Sequence, residues 1–364
     1  MHKTSAWPLA LIYAGLVVYA SLYPFVDWRD QGIMPWAFLS SPLPKYWTGF
    51  DVAINIIGYL PLGFLLVLSA LRTGRARYAV ALTTLAVGVL SLALESLQSY
   101  LPVRVASNVD LALNASGAWL GGGLAWAMEK LGVIDRWSRF RGRWFVADAR
   151  GGLVLLALWP LALLFPAAVP FGLGQVLERL EADLAEVLLD TPFLDWLPLR
   201  DIELQPLVPA AELLCVMLGV LIPCLLGFCI IRAVGRRIWF ALLVFMLGVG
   251  VSALSAALSY GPQHAWAWLD LPVQLGVMGA LGLTALLLRV PMRASAALLL
   301  LALGIYLSLL NQAPASPYFA QTLATWEQGR FIRFHGLAQW LGWLWPYAVM
   351  VYVVMLAWHR EPKN

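Results

Sequence analysis

Five side chains able to do acid–base or recognition chemistry crowd one stretch of an otherwise apolar sequence: Glu95, Gln98, Arg104, Asp110 and Asn114. Upstream, Asp51 and Asn55 repeat the four-residue spacing of Asp110 and Asn114. Carboxylates can serve as general acids, general bases or cation ligands, and an arginine suits an anionic group. Amide side chains suit hydroxyls or other amides. All of these residues lie within or beside runs long enough to enter a bilayer. There an ionisable group costs about 2.5–3.5 kcal/mol even on a lenient scale. The carboxylates must therefore be paired, wet or useful. Spacings of i,i+4 for Asp51/Asn55 and Asp110/Asn114, and of i,i+3 for Glu95/Gln98, put each pair on one helix face.

The elements that position them follow from composition. The chain has 364 residues, 61% hydrophobic and 12% charged, with a mean hydropathy of +0.78. A soluble protein carries roughly 45–50% apolar and 25% charged residues. The expected fold class is therefore all-α, a polytopic transmembrane helical bundle whose first partner is the lipid bilayer. A net charge of +4 gives no case for nucleic acid. Cys215, Cys224 and Cys229 share one apolar run and read as small core residues, without disulfide or zinc spacing. The first apolar run lacks a small-residue cleavage site and reads as a retained helix.

Ten segments reach span length, at about 7–26, 50–71, 77–99, 108–129, 150–169, 207–231, 238–259, 267–288, 294–311 and 337–358. Every second connector is basic, most strongly the one with Arg136, Arg139, Arg141 and Arg143. The positive-inside rule then places both termini in the cytoplasm of a bacterial inner membrane. The second span runs inward and the third outward, so Asp51, Asn55, Glu95, Gln98, Arg104, Asp110 and Asn114 share one depth in the outer leaflet. Turned toward each other, they would make one polar pocket opening outward. Asp51 and Asp110 stand at helix N-termini, which favour carboxylates. Glu95 stands near a C-terminus and needs either Arg104 as a partner or a raised pKa, which makes it the acid expected to be most perturbed.

The chain also echoes itself. Trp7–Leu11 recurs as Trp159–Leu163, and Asp110-Leu111 recurs 160 positions later as Asp270-Leu271. The expected organisation is a four-helix membrane domain over 1–130, a basic cytoplasmic linker over 131–149, and a degenerate repeat over 150–290. That repeat carries an acidic amphipathic segment at 172–206, and two additional helices fill 291–364. At the Glu95 position the second copy has Ser255, and at the Gln98 position Leu258. It therefore reads as a scaffold that has lost the site. Trp36, Trp47, Trp266, Trp268, Trp326, Trp340, Trp343 and Trp345 map to the outer side, as an interfacial belt would. His264 and His335 have no metal-ligand spacing, and no metal site or cofactor motif is present.

Asp51-x3-Asn55 leading into Pro61-Leu62-Gly63-Phe64, then Glu95-x2-Gln98, Arg104, Asp110-x3-Asn114 and Gly117-x3-Gly121, resemble the VanZ-like membrane domain over about residues 5–130. That family takes its name from a protein accompanying low-level teicoplanin resistance. The resemblance implies a multi-pass cell-envelope protein and leaves its chemistry open.

Two readings follow. In the first, Asp51, Asn55, Gln98, Arg104 and Asn114 bind a glycan- or phosphate-bearing envelope component, such as a lipid-linked glycan or peptidoglycan precursor. In the second, the protein is a hydrolase or transferase of such a lipid or precursor. Glu95 is then the acid/base, and Asp51 and Asp110 hold a divalent cation or orient the substrate. A transporter is disfavoured, because nothing charged continues toward the cytoplasmic side. The plain alternative to all three is a hydrogen-bond network that pins the helices together.

Overall fold

The computed structural model describes residues 6–23, 25, 27–43, 49–74, 77–165, 167–189, 191–196, 204–260, 262–314 and 332–358. Trp47, Trp326, Asp201, Glu203 and both termini lie outside the described residues, as does the side chain of His335.

Twelve α-helices and no strand are found among the described residues. They are α1 (Ala6–Leu22), α2 (Gly49–Arg72), α3 (Ala79–Gln98), α4 (Asn108–Lys130), α5 (Val133–Trp144) and α6 (Arg150–Ala162). The rest are α7 (Leu177–Leu188), α8 (Pro209–Ile230), α9 (Val234–Tyr260), α10 (Leu271–Leu287), α11 (Met292–Leu310) and α12 (Ile332–Trp358). Ten of them fall on the ten segments read from the sequence. Six, namely α2, α3, α8, α9, α11 and α12, are both long and apolar enough to cross a membrane. The apolar helices α1, α6 and α10 are shorter, and α4 has the length but is diluted by Asp110, Asn114 and its glycines. The chain is thus a multi-pass helical membrane protein.

The chain divides into two compact units, Met1–Phe140 and Arg141–Asn364. In the first, α2 lies against α4 so closely that their backbones touch. A Cβ on Gly63 would fall on the Ala118 backbone, one on Gly117 would strike the Ile56 carbonyl, and one on Gly121 would strike the Leu60 carbonyl. These are the small-residue contacts that let membrane helices approach without a hydrophobic driving force. Gly123, next in the same run, faces open space. Around the seam, Val17, Leu22, Tyr59, Leu62, Val87, Leu94, Leu101 and Ala118 form the unit's core. At the other end of α2, Arg72 pairs with Glu129 at 3.4 Å and with Asp135 at 3.2 Å.

The second unit is built around α8. Of α8's apolar stretch 83% is buried, against 28% for α2, so α8 is a central helix rather than a peripheral one. Its three cysteines are reduced and buried in that core. Arg237 of α9 is only 3% exposed and donates to the carbonyls of Phe228, Ile231, Leu288 and Val290 at 2.6–2.9 Å. It closes the C-terminal ends of α8 and α10, where unpaired carbonyls favour a cation.

Candidate functional site

At one end of the first unit the polar residues read from the sequence meet. The α4 start is fixed by Ser107, whose Oγ accepts from the N–H groups of Val109 and Asp110. In a capping box, a side chain three residues into the helix returns the bond to the cap's own N–H. Here that position is Asp110, and the return bond comes from elsewhere: the Glu95 carboxylate on α3 accepts from Ser107 N–H at 2.9 Å. Glu95 is 4% exposed. It therefore ties the C-terminal part of α3 to the N-terminus of α4, where free N–H groups favour its charge.

This leaves Asp110 to reach α2, and Asn55 Nδ2 donates to its Oδ1 at 2.9 Å. One turn further into α4, the buried Asn114 donates to Ser91 Oγ of α3 at 2.9 Å, while its own Oδ1 has no hydrogen-bond partner. Tyr59 of α2, likewise buried, places its hydroxyl near Ser21 and Ser91 and within the fields of Glu95 and Asp110. Asp51 occupies the first turn of α2. The three helices thus gather Asn55, Tyr59, Ser91, Glu95, Asp110 and Asn114 into one polar layer with two hydrogen-bonded groups, Asn55–Asp110–Ser107–Glu95 and Asn114–Ser91.

Gln98 and Arg104 do a different job. Gln98 Nε2 donates to the Ser21 carbonyl at 3.0 Å, and the Arg104 guanidinium donates to the carbonyls of Ala20 and Tyr23 at 2.6–3.2 Å. Both satisfy the C-terminal end of α1, where unpaired carbonyls carry negative potential. The segment after α1 follows the same rim: Arg29 N–H reaches the Tyr100 carbonyl, Gln31 reaches Ser99, and Asn108 reaches back to Ser41.

Sequence reasoning passed over Ser91, Ser107 and Tyr59, because hydroxyls in apolar runs are common. The signal lay in their register. Ser91 stands one turn before Glu95 on the same face, and Ser107 stands three residues before Asp110.

The second unit has a different end. Asp270 is the N-cap of α10, accepting from Val273 N–H at 3.0 Å, and Glu212 sits in the first turn of α8, close enough to feel the Asp270 charge. Ser255 of α9 bonds to the Leu164 carbonyl. These residues border a cavity of about 250 Å³. Among the described residues no group of three or more His, Cys, Asp or Glu is placed to hold a metal ion.

The family model VanZ/LLP1 matches residues 6–129, so α1 to α4 are VanZ-like in sequence. No curated protein and no solved structure matches the chain.

Proposed function

We propose that the polar layer of the first unit binds a glycan- or phosphate-bearing cell-envelope component at the outer leaflet, as an accessory protein of envelope polysaccharide or glycopeptide response. One observation carries the reading. The layer pairs Asn55 with Asp110, holds Glu95 on the Ser107 N–H and pairs Asn114 with Ser91, and it leaves a buried amide oxygen on Asn114 unsatisfied. Interhelical polar contacts in membranes average only about 0.6 kcal/mol. Helix pinning is thus a thin reason for two carboxylates in one layer. A buried acceptor without a partner costs about 1–3 kcal/mol. A ligand hydroxyl would remove that cost. Asp51, Asn55 and Arg104 are only half-buried and form the approach, with Arg104 bringing positive charge for an anionic group.

The enzyme reading rests on Glu95. A carboxylate at 4% exposure beside the Tyr59 hydroxyl is the environment in which an acid/base group is tuned. Glu95 would transfer the proton, and Asp110 would orient the substrate.

Mass spectrometry of lipids extracted from the purified full chain separates these readings. The binding reading expects a glycolipid or prenyl phosphate that co-purifies with wild type and is depleted in Asp110→Asn and Arg104→Ala. The enzyme reading expects the lipid to be retained by Glu95→Gln while its product disappears. If wild type carries no specific lipid, the layer is a packing device and both readings fall.

A further inference from the structure

We propose that the second unit holds a separate site for an ammonium group, in the cavity between the α6–α7 connector, α8, α9 and the α9–α10 connector. The site is independent of the polar layer in the first unit and goes beyond the function proposed for it.

The charge of the cavity is one-sided. Glu212 and Asp270 border it, and among the described residues that line it there is no lysine, arginine or histidine. The two carboxylates lie close enough to repel each other. Two like charges at neighbouring helix starts repel each other, and a cation between them would relieve that repulsion. Asp270 spends Oδ1 on the cap bond to Val273 and keeps its second oxygen for other partners. The hydroxyls of Ser252 and Ser255 line the cavity too. Ser255 is 4% exposed and donates to Leu164, so its lone pairs remain available as acceptors.

The rest of the wall selects the kind of cation. Phe171 and Trp268 meet edge to face, ring centres 5.8 Å apart, and both line the cavity. Aromatic faces beside carboxylates attract ammonium groups through the ring quadrupole. A small divalent ion would instead ask for more oxygen ligands than two carboxylates supply. The wall is also held rigidly. Phe171 has a left-handed backbone (φ 61°), and the Tyr306 hydroxyl donates to its carbonyl at 2.6 Å while accepting from Leu173 N–H. At about 250 Å³ the cavity is smaller than the roughly 300–1,000 Å³ of a drug-sized site. It suits a headgroup or a single amino sugar.

The chemistry of the first unit explains why the space exists. Where α3 carries Glu95, the sequence 160 positions on carries Ser255. The long side chain that bridges to the next helix in the first unit is replaced by a short one that reaches the Leu164 carbonyl just after α6.

The test uses the full chain in mild detergent and native mass spectrometry. Phosphatidylethanolamine, its N-acetyl derivative and phosphatidylglycerol are compared as lipids, and ethanolamine and glucosamine are titrated calorimetrically as free amines. Wild type is expected to retain phosphatidylethanolamine about tenfold better than its N-acetyl derivative, the effect of losing one charge-assisted hydrogen-bond set. The double variant E212Q/D270N is expected to abolish that preference. Asparagine caps helices as well as aspartate, so α10 keeps its start. Binding of the free amines alone, lost in the double variant, supports the site with a soluble source. Equal retention of amine and N-acetyl lipid by wild type overturns it, and that comparison needs no variant. A preference unchanged in the double variant overturns it as well, as does calcium or magnesium binding without any amine binding.

Discussion

The two units treat an aspartate at a helix start in opposite ways. In the first, Asp110 is the third residue of α4. The helix it opens lies backbone to backbone on α2, so Asn55 is at hand to pair with it. In the second, Asp270 is the cap itself, α10 meets α8 at the Leu213 carbonyl below Gly276 and otherwise on the side chains of Val216 and Met217, and a cavity remains beside the acid. Three successive backbone contacts bring the polar groups of α2 and α4 together, whereas the single one between α8 and α10 leaves room for a cavity beside the acids. The same residue type is therefore connected in one unit and open in the other.

The arginines extend the comparison and give the largest expected effect. Arg104 and Arg237 both close helix C-termini, but Arg237 is almost fully buried and bonds four carbonyls, while Arg104 is half-exposed. Charged hydrogen bonds are worth about 1.5–3 kcal/mol each. Arg237→Met is thus expected to cost about 3 kcal/mol or more, and Arg104→Met clearly less. Thermal unfolding in detergent checks this. Equal losses would mean that the two caps do not differ as their burial implies.

Next comes the seam itself. Gly121→Ala drives a methyl into the Leu60 carbonyl, and overpacking of this kind costs about 1–3 kcal/mol. Gly123→Ala and Gly282→Ala, whose new methyls meet nothing, are expected to be neutral or slightly stabilising, by about 0.5 kcal/mol. If Gly121→Ala is as mild as Gly123→Ala, the α2–α4 backbones are further apart than described.

A third change exchanges the two environments. Glu95→Ser removes the bond that ties α3 to Ser107 and is expected to cost about 1.5 kcal/mol. Ser255→Glu adds a third carboxylate beside Glu212 and Asp270 and is expected to destabilise the second unit at neutral pH, with recovery as pH falls. Unfolding midpoints at two pH values measure both. A stabilising Ser255→Glu would overturn the view of the cavity as electrostatically negative.

How far these differences were legible depends on range. Helix positions follow from runs of apolar residues, a local property, and the polar spacings of α2, α3 and α4 follow from helical period. Three things did not follow. Glu212 was passed over because the echo between the halves is not at one constant shift and sets no polar residue of the first unit opposite it. Trp7 and Trp159, matched in sequence, differ in place: Trp7 opens α1 and is exposed, whereas Trp159 lies near the end of α6 and is buried. The segment 131–149, read as a linker, contains α5, whose amphipathic pattern was hidden by its arginines. Partners such as Ser107 for Glu95 depend on where a connector returns, and composition carries no trace of that.

The smallest expected effect decides what the connected end is for. In a double-mutant cycle, Asn55→Leu and Asp110→Leu are made singly and together. If the Asn55–Asp110 bond exists to hold α2 on α4, its coupling energy belongs in the range for interhelical bonds, about 0.6 kcal/mol and at most about 1.7. The glycine seam already supplies the packing, so the coupling is expected at the low end of that range. Stability would then barely register the pair, and any strong loss of co-purifying lipid in Asp110→Asn would have to come from recognition. A coupling near the upper limit, with lipid content unchanged, would instead make the layer a second fastening of the seam. The acids of the first unit would then differ from those of the second only in being paired.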